Sequence, residues 1–299
     1  MRLSLLAVTA IAALAIAPSA RAMNVFTCEP EWGALVIELA GANATVDVAT
    51  TALQDVHQIE AKPSLVAKMR RADLVVCSGA DLEVGWLPQL VRQSGNAKVA
   101  DAKGSFMAAD FVVTLEKPST LDRSAGDIHP QGNPHVHLDP HRLLTVAKAL
   151  SERLAQIDAA NAATYQQRLE DFSKRWTAAM KGWEAKAAPL AGKKIIVHHA
   201  SWAYLEDWLR LAQIGQLEPK PGVPPTSAHL SSLIETAKSA PAYAIVSAAY
   251  QDDKPGAWLA ERSGAPQVVL PFTVGGNDRA KDLFALFDNT LDLLLGAAK

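Results

Sequence analysis

The sequence predicts an α/β fold with two parallel-sheet lobes joined by one long helix. Short apolar runs rich in β-branched residues alternate with helical segments in each half of the chain. A long helical stretch separates the two halves. Strand-helix-strand alternation is typical of parallel sheets, and 299 residues are enough for two medium-sized cores.

The first 22 residues predict an export signal. Arg2 supplies a charge, residues 3–16 form an apolar segment, and Ala20-Arg21-Ala22 is a small-x-small cleavage site. We expect cleavage after Ala22 and an exported mature protein. The apolar run is shorter than the ~20 residues of a spanning helix, and no cysteine follows the cleavage point to take a lipid, so we expect no membrane anchor.

The first half of the chain predicts one sheet and its helices. We expect strands over residues 24–28, 45–49 and 73–77, and helices over 31–40, 64–71 and 85–93. Residues 98–100 and 111–115 are two further candidate strands. The rest of residues 104–133 shows no helical period, and a connection this long is usually functional or mobile.

The second half begins with the long helical stretch. Asp139 and Pro140 are typical of a helix N-cap and first position, and helical sequence continues to about residue 186 with a break near 158–162. Further strands are expected over 194–197, 243–247 and 267–270, and further helices over 201–211, 227–239, 256–263 and 279–295. The predicted units are a signal peptide (1–22), an N-terminal lobe (23–158), a linking helix (159–188) and a C-terminal lobe (189–299).

Charge and motif content narrow the classes of function. The formal net charge is −2, with 29 basic and 31 acidic residues, so the chain has no basic footprint for nucleic acid or an anionic membrane. A His-Glu-x-x-His motif, a Gly-x-Ser-x-Gly nucleophile elbow and a phosphate-binding glycine-rich loop are all absent from the sequence. These absences disfavour a hydrolase.

The two cysteines, Cys28 and Cys77, are either bridged or buried as free thiols. Cys28 ends the first expected strand and Cys77 ends the third. In a doubly wound sheet of order 2-1-3 these strands are neighbours about 4.8 Å apart, which a disulfide tolerates. We therefore predict a disulfide.

Metal-ligating side chains follow several of the expected strands. His57, His135, His199 and Asp278 all fall where ligands bind in parallel sheets, outside the carboxyl ends of the strands. Each alone has a simpler explanation, as a loop histidine or, for Asp278, an acid in the first turn of a helix. Three imidazoles and one carboxylate together suit tetrahedral zinc.

The order of these residues is similar to a known family. His57, then Asn133-Pro134-His135-Val136-His137-Leu138-Asp139-Pro140, a long helix, His199-Ala200-Ser201-Trp202 and a late carboxylate resemble the zinc- and manganese-binding substrate-binding proteins of ABC metal importers. The resemblance covers nearly all of the mature chain. It implies a metal site between the two lobes with His57, His135 and His199 as ligands. Manganese binders carry Glu at the third position, so His199 favours zinc.

The fourth ligand matches the family less well, because residues 273–277 intervene between the last strand and Asp278. Asp278 is the predicted ligand, with Asp282 or water as alternatives. His129, His137 and His141 are either an accessory acquisition site or solvated loop histidines.

The resemblance also implies a function and partners. We expect a monomer that captures Zn²⁺ in the periplasm and delivers it to an ABC transporter permease and its ATPase. A periplasmic metallochaperone is a further candidate partner. The alternatives are a manganese importer component and a stand-alone zinc chaperone.

Overall fold

The computed structural model describes residues 21–119 and 126–298, so the predicted signal segment up to residue 20 lies outside it. The described chain contains two four-stranded sheets with helices packed around them. The strands are β1 Met23–Thr27, β2 Ala44–Val48, β3 Leu74–Cys77, β4 Ser105–Met107, β5 Lys194–Val197, β6 Ala212–Gln216, β7 Ala244–Ala248 and β8 Gln267–Leu270. The α-helices are α1 Pro30–Ala40, α2 Pro63–Arg71, α3 Leu87–Ser94, α4 Ala97–Ala100, α5 Pro140–Ile157, α6 Ala162–Ala187, α7 Ala203–Leu209, α8 Ser227–Ser239, α9 Lys254–Ser263 and α10 Leu283–Gly296.

The two sheets have the same topology. The first has the order β2-β1-β3-β4 and the second the order β6-β5-β7-β8, and the strands of both pair in parallel. Every residue of the inner strands β3 and β7 is buried, as expected for parallel sheets covered on both faces. The predicted fold class of two parallel-sheet lobes is confirmed.

The long helix α6 is packed against both lobes. Its buried aromatic residues Phe172, Trp176 and Trp183 recur at helical spacing and contact Phe284 and Phe287 of α10. The indole nitrogen of Trp183 donates to Asp288 at 2.8 Å. On the side of the first lobe, Arg175 pairs with Glu38 of α1 at 2.5 Å. The helix is therefore a rigid bridge, while the exact unit boundaries at 158 and 188 stay a prediction.

Two predicted strands are wrong and two strands were missed. Residues 98–100 belong to the short helix α4, because the side chain of Asn96 caps it by accepting from the backbone N–H of Lys98. Residues 111–115 contain the end of a 3₁₀ turn, Ala108–Phe111, and irregular backbone. The missed strands β4 and β6 lie at sheet edges, where partial exposure removes the continuous apolar run that marks a buried strand.

The cysteines form the predicted disulfide, Cys28–Cys77, with their Cα atoms 4.9 Å apart. Thr27 of β1 is paired in register with Val76 of β3. The residues that follow them, Cys28 and Cys77, therefore lie side by side. No helix among the described residues has the length and apolar character needed to cross a membrane.

Replacing both cysteines with alanine should lower the free energy of unfolding by about 2–4 kcal/mol, because the bridge limits the freedom of the unfolded chain. Urea unfolding of the double variant measures the loss. Native protein treated with reductant is the matched control and should lose a similar amount. The wild-type protein is also unfolded without reductant, alkylated and measured by intact mass. Two alkylated thiols would contradict the bridge.

Candidate metal centre

Four imidazoles converge between the two lobes. Three belong to the predicted ligands His57, His135 and His199, and the fourth belongs to His129. The ring centroid of His57 lies 5.5 Å from that of His129, 6.1 Å from that of His135 and 5.6 Å from that of His199. His135 lies 6.3 Å from His129 and 6.5 Å from His199. We call these four residues the imidazole cluster.

The four members of the cluster are carried by three loops, and His129 and His135 share one of them. His57 lies between β2 and α2, and His199 follows β5 by two residues. His135 lies immediately before the 3₁₀ turn Val136–Leu138 that leads into α5. His129 lies in the connection between Phe111 and that turn. The first lobe and the segment leading to α5 therefore supply three rings, and the second lobe supplies His199.

The Nδ1 atom of every ring in the cluster is bound to an oxygen acceptor. Nδ1 of His57 donates to the Asp55 carboxylate at 2.8 Å, and Nδ1 of His135 donates to Oδ1 of Asn133 at 2.8 Å. Nδ1 of His199 donates to Oε2 of Glu218 at 2.6 Å. Nδ1 of His129 lies 3.2 Å from the carbonyl oxygen of Ala80.

These hydrogen bonds fix the tautomer of each ring. An oxygen acceptor keeps the proton on Nδ1, so the lone pair is on Nε2. Metal-bound histidines in proteins are held in this way almost without exception. The Nε2 atoms of His57 and His129 are buried and have no hydrogen-bond partner, which normally costs free energy. The arrangement suits a cation received by Nε2.

The cluster is slightly wider than a bound ion requires. A zinc–nitrogen distance of about 2.0–2.1 Å in a tetrahedron places ring centroids roughly 5 Å apart, and the observed centroids are 5.5–6.5 Å apart. Among the described residues, the only group of three donor atoms that all lie within 4.8 Å comes from Cys28, Cys77 and Glu83, whose sulphur atoms form the disulfide. Metal binding therefore has to shorten the separations between the ring centroids by about 0.5–1.5 Å.

A hydrogen-bond network ties the first lobe's ligand His135 to the second lobe. The side-chain amide of Asn133 donates to the carbonyl of Ala200 and to the carboxylate of Glu116, both at 2.9 Å. The hydroxyl of Tyr204 in α7 donates to the backbone carbonyl of Asn133 at 2.6 Å. Asn133 thus orients His135 and links it to the loop that carries His199.

The protonation of the cluster differs from ring to ring. Burial and the charges of neighbouring imidazoles hold the pKa of His135 well below its ordinary value. Burial and the charge of His57 lower the pKa of His129 to about 4. Burial would also lower the pKa of His57, but the hydrogen bond and charge of Asp55 outweigh it and raise that pKa. His129 and His135 are therefore neutral at pH 7, and His57 holds its proton longest of these three.

The fourth predicted ligand, Asp278, is not brought to the cluster. It is exposed in the turn before α10, and its neighbour Asn277 accepts from the side chain of Asn289 at 2.8 Å. The carboxylates whose charges act on the pKa of His57 are Asp55, Asp127 and Glu83.

The remaining histidines of the two motifs have other partners. His137 is buried, donates from Nε2 to the carbonyl of Phe272 at 3.1 Å, and lies 3.2 Å from Glu31. His141 pairs with Glu184 at 2.7 Å on the surface. His198 is buried beside His199 but makes no ring contact with the cluster among the described residues. His129, His137 and His141 therefore do not form one accessory site.

The comparisons with known proteins identify the family of the chain. A sequence model of the family described as zinc-uptake complex component A, periplasmic (ZnuA), matches residues 25–297. The chain belongs to this family. Its members are metal-binding substrate-binding proteins of ABC transporters, not enzymes.

Relatives in the family are named for more than one metal. The chain is 23% identical over 201 residues to the zinc-binding lipoprotein AdcA of Streptococcus pneumoniae, a match that covers 67% of this chain and 40% of AdcA. It is 24% identical over 236 residues to the manganese ABC transporter substrate-binding lipoprotein scaA of Streptococcus gordonii, covering 77% of this chain and 73% of scaA. The chain thus spans about 40% of the length of the first of these relatives.

Solved structures of the same fold include a crystal structure of ZnuA, with a TM-score of 0.76 and 24% identity over 91% of this chain and 99% of that one. A manganese-bound periplasmic metal binding protein from Candidatus Liberibacter asiaticus matches with a TM-score of 0.75 and 16% identity, over 93% of this chain and 100% of that one. At these identities the likeness shows the fold.

Sequence reasoning missed His129 as a member of the cluster and Glu218 as the acceptor for His199. Glu218 is 19 positions from His199, just after the unpredicted strand β6. His129 had a weak signal: it lies six residues before His135 in a long connection without secondary structure of its own, a context typical of functional loops.

The variant Asp55→Asn should lower the pH at which protons begin to compete with zinc for His57. It keeps an oxygen acceptor for His57 but removes the charge that raises the pKa of His57. In the native protein, the zinc Kd should rise about tenfold per pH unit once the pH falls below the raised pKa of His57, because one proton must be displaced. Competition with a chelator between pH 5 and 8 measures both curves.

The matched control for this test is Asp110→Asn, which neutralises an exposed carboxylate of the same lobe and should leave the pH profile unchanged. An identical onset in the native protein and Asp55→Asn would rule out His57 as the ring that sets the pH dependence.

Proposed function

We propose that the protein captures Zn²⁺ in the periplasm and delivers it to the permease and ATPase of an ABC importer. The observation that carries the proposal is the imidazole cluster, in which each ring is fixed through Nδ1 and leaves Nε2 for a metal. The family membership supplies the transport context, in which such a site holds cargo. The zinc ion is therefore the transported ligand.

The donor set supports zinc over manganese. Imidazole suits zinc, whereas manganese prefers carboxylate, carbonyl and water oxygen. His57, His135 and His199 are the proposed ligands, and the carboxylates Asp55 and Glu218 are used as acceptors for the Nδ1 atoms of His57 and His199. Manganese is the rival cargo because relatives such as scaA are named for it.

The two-lobed architecture supports a role in capture and handover. The rings of the cluster come from both lobes, and metal binding has to shorten the distances between these rings. The metal therefore changes the position of the two lobes relative to each other. A permease can then distinguish the loaded protein from the empty one. We extend the proposal to a monomer exported after cleavage at Ala22, with the lobes at 23–158 and 189–299 and a metallochaperone as a further candidate partner.

The mature protein should bind one Zn²⁺ per chain and retain it against an equal concentration of Mn²⁺. His57→Ala, His135→Ala and His199→Ala should each weaken zinc binding by more than about tenfold, since changes even to the partners of metal ligands cost 10–100-fold. Elemental analysis after dialysis against mixed metals, followed by chelator competition, measures both quantities.

The matched control is His198→Ala, because His198 is the neighbour of His199 and equally buried but makes no ring contact with the cluster among the described residues. It should bind zinc like the native protein. Preferential retention of Mn²⁺ would overturn the choice of cargo. Native-like zinc binding by the three ligand variants would overturn the site.

A further inference from the structure

We propose that His129 is the fourth metal ligand, which makes the centre a site of four imidazoles without a carboxylate. This inference rests on the proposed function and concerns the same cleft. It differs from the sequence prediction, which gave the fourth position to Asp278.

The ring of His129 already meets the requirements of a ligand. It lies 5.5 Å from the ring of His57 and 6.3 Å from that of His135, distances within the range of the other pairs in the cluster. Its Nδ1 is 3.2 Å from the carbonyl oxygen of Ala80, which leaves the lone pair on Nε2. That Nε2 is buried and has no partner. A histidine with a merely structural role would normally satisfy this atom.

The backbone around His129 is held on both lobes. The backbone N–H of Asp127 donates to the carbonyl of Pro221 in the second lobe at 3.0 Å. On the other side, the hydroxyl of Thr114 donates to the carbonyl of Gln131 at 2.6 Å. Gly126 has φ +98°, and a Cβ there would lie 2.2 Å from the Pro221 carbonyl oxygen, so this close approach requires glycine. These contacts hold the segment that carries His129 beside the cluster.

The carboxylates that could compete for the fourth position have other roles or other positions. Asp55 and Glu218 accept from the Nδ1 atoms of His57 and His199, and Glu218 also accepts from the backbone of Gly222 at 2.8 Å. Asp278 is exposed on the side of α10. Asp127 is a rival, because it lines the same pocket as His57 and His199, but its carboxylate packs against Gly222, where an added Cβ would lie 2.2 Å from it.

A fourth imidazole has a consequence for selectivity. Four neutral nitrogen donors leave a hard, oxygen-preferring ion without a carboxylate, so they disfavour manganese more strongly than a site with three histidines and an aspartate. His129 is thus a specificity-determining residue as well as a ligand.

The test compares His129→Ala with Asp278→Ala and Asp127→Ala in the full mature protein. His129→Ala should weaken zinc binding by at least about 10–100-fold, the range seen for partners of metal ligands, and should narrow the preference for zinc over manganese. With cobalt(II) bound in place of zinc, the visible absorption bands of the site should shift as a water oxygen replaces the ring nitrogen. Asp278→Ala should keep native affinity and a native cobalt spectrum. Asp127→Ala should keep the native cobalt spectrum, because Asp127 acts on the charge of His57 and is not a ligand.

A native spectrum and affinity for His129→Ala would overturn the inference, as would losses confined to either aspartate variant. His129→Gln, which keeps a donor for the Ala80 carbonyl, should show the same loss of zinc affinity as His129→Ala. Native affinity in His129→Gln would assign the effect of His129→Ala to a local change in the loop and also overturn the inference. If His57→Ala loses zinc binding and His129→Ala keeps it, only this inference is rejected and the proposed function stands.

Discussion

A buried imidazole can offer one nitrogen to a metal only if its other nitrogen keeps the proton, and this constraint organises the cleft. Asp55, Asn133, Glu218 and the carbonyl of Ala80 each hold one Nδ1. With the four tautomers fixed, the Nε2 lone pairs are available to a common centre. The polar groups that surround the cluster are therefore explained by the rings they orient, and not by direct contact with a metal.

The scaffold places these acceptors accurately because they lie at the ends of parallel strands. Ala80 follows β3, Glu218 follows β6 and Asp55 follows β2, and the carboxyl ends of such strands share one edge of each sheet. The disulfide joins the ends of β1 and β3, shortly before Ala80 in the chain. The aromatic face of α6 packs against α10 of the second lobe, and Arg175 of α6 pairs with Glu38 of α1 in the first, so one helix joins the two lobes that supply the rings.

The sequence predicted what depends on local pattern. The inner strands, the linking helix and the disulfide all follow from apolar runs, helix formers and strand order, and the structure confirms them. Edge strands β4 and β6 were missed because partial exposure weakens their pattern. Glu218 was missed with β6, since its role depends on that strand's pairing with β5. Asp278 was chosen for its position after the last strand, but the tight turn at Gly276, whose added Cβ would lie 1.8 Å from the Pro271 carbonyl oxygen, carries the chain on toward α10. The position of His129 beside the other three rings depends on contacts of its loop with both lobes, and no local sequence pattern specifies such contacts.

The central claim is that metal binds to Nε2 while Nδ1 stays protonated on its oxygen acceptor. The most direct test is a long-range proton–nitrogen NMR spectrum of the imidazoles in the zinc-loaded protein, labelled with nitrogen-15. The account predicts that His57, His135 and His199 show a metal-bound Nε2 and a protonated Nδ1. Zinc on Nδ1, or rings whose nitrogens are unchanged between the metal-free and zinc-loaded protein, would contradict it.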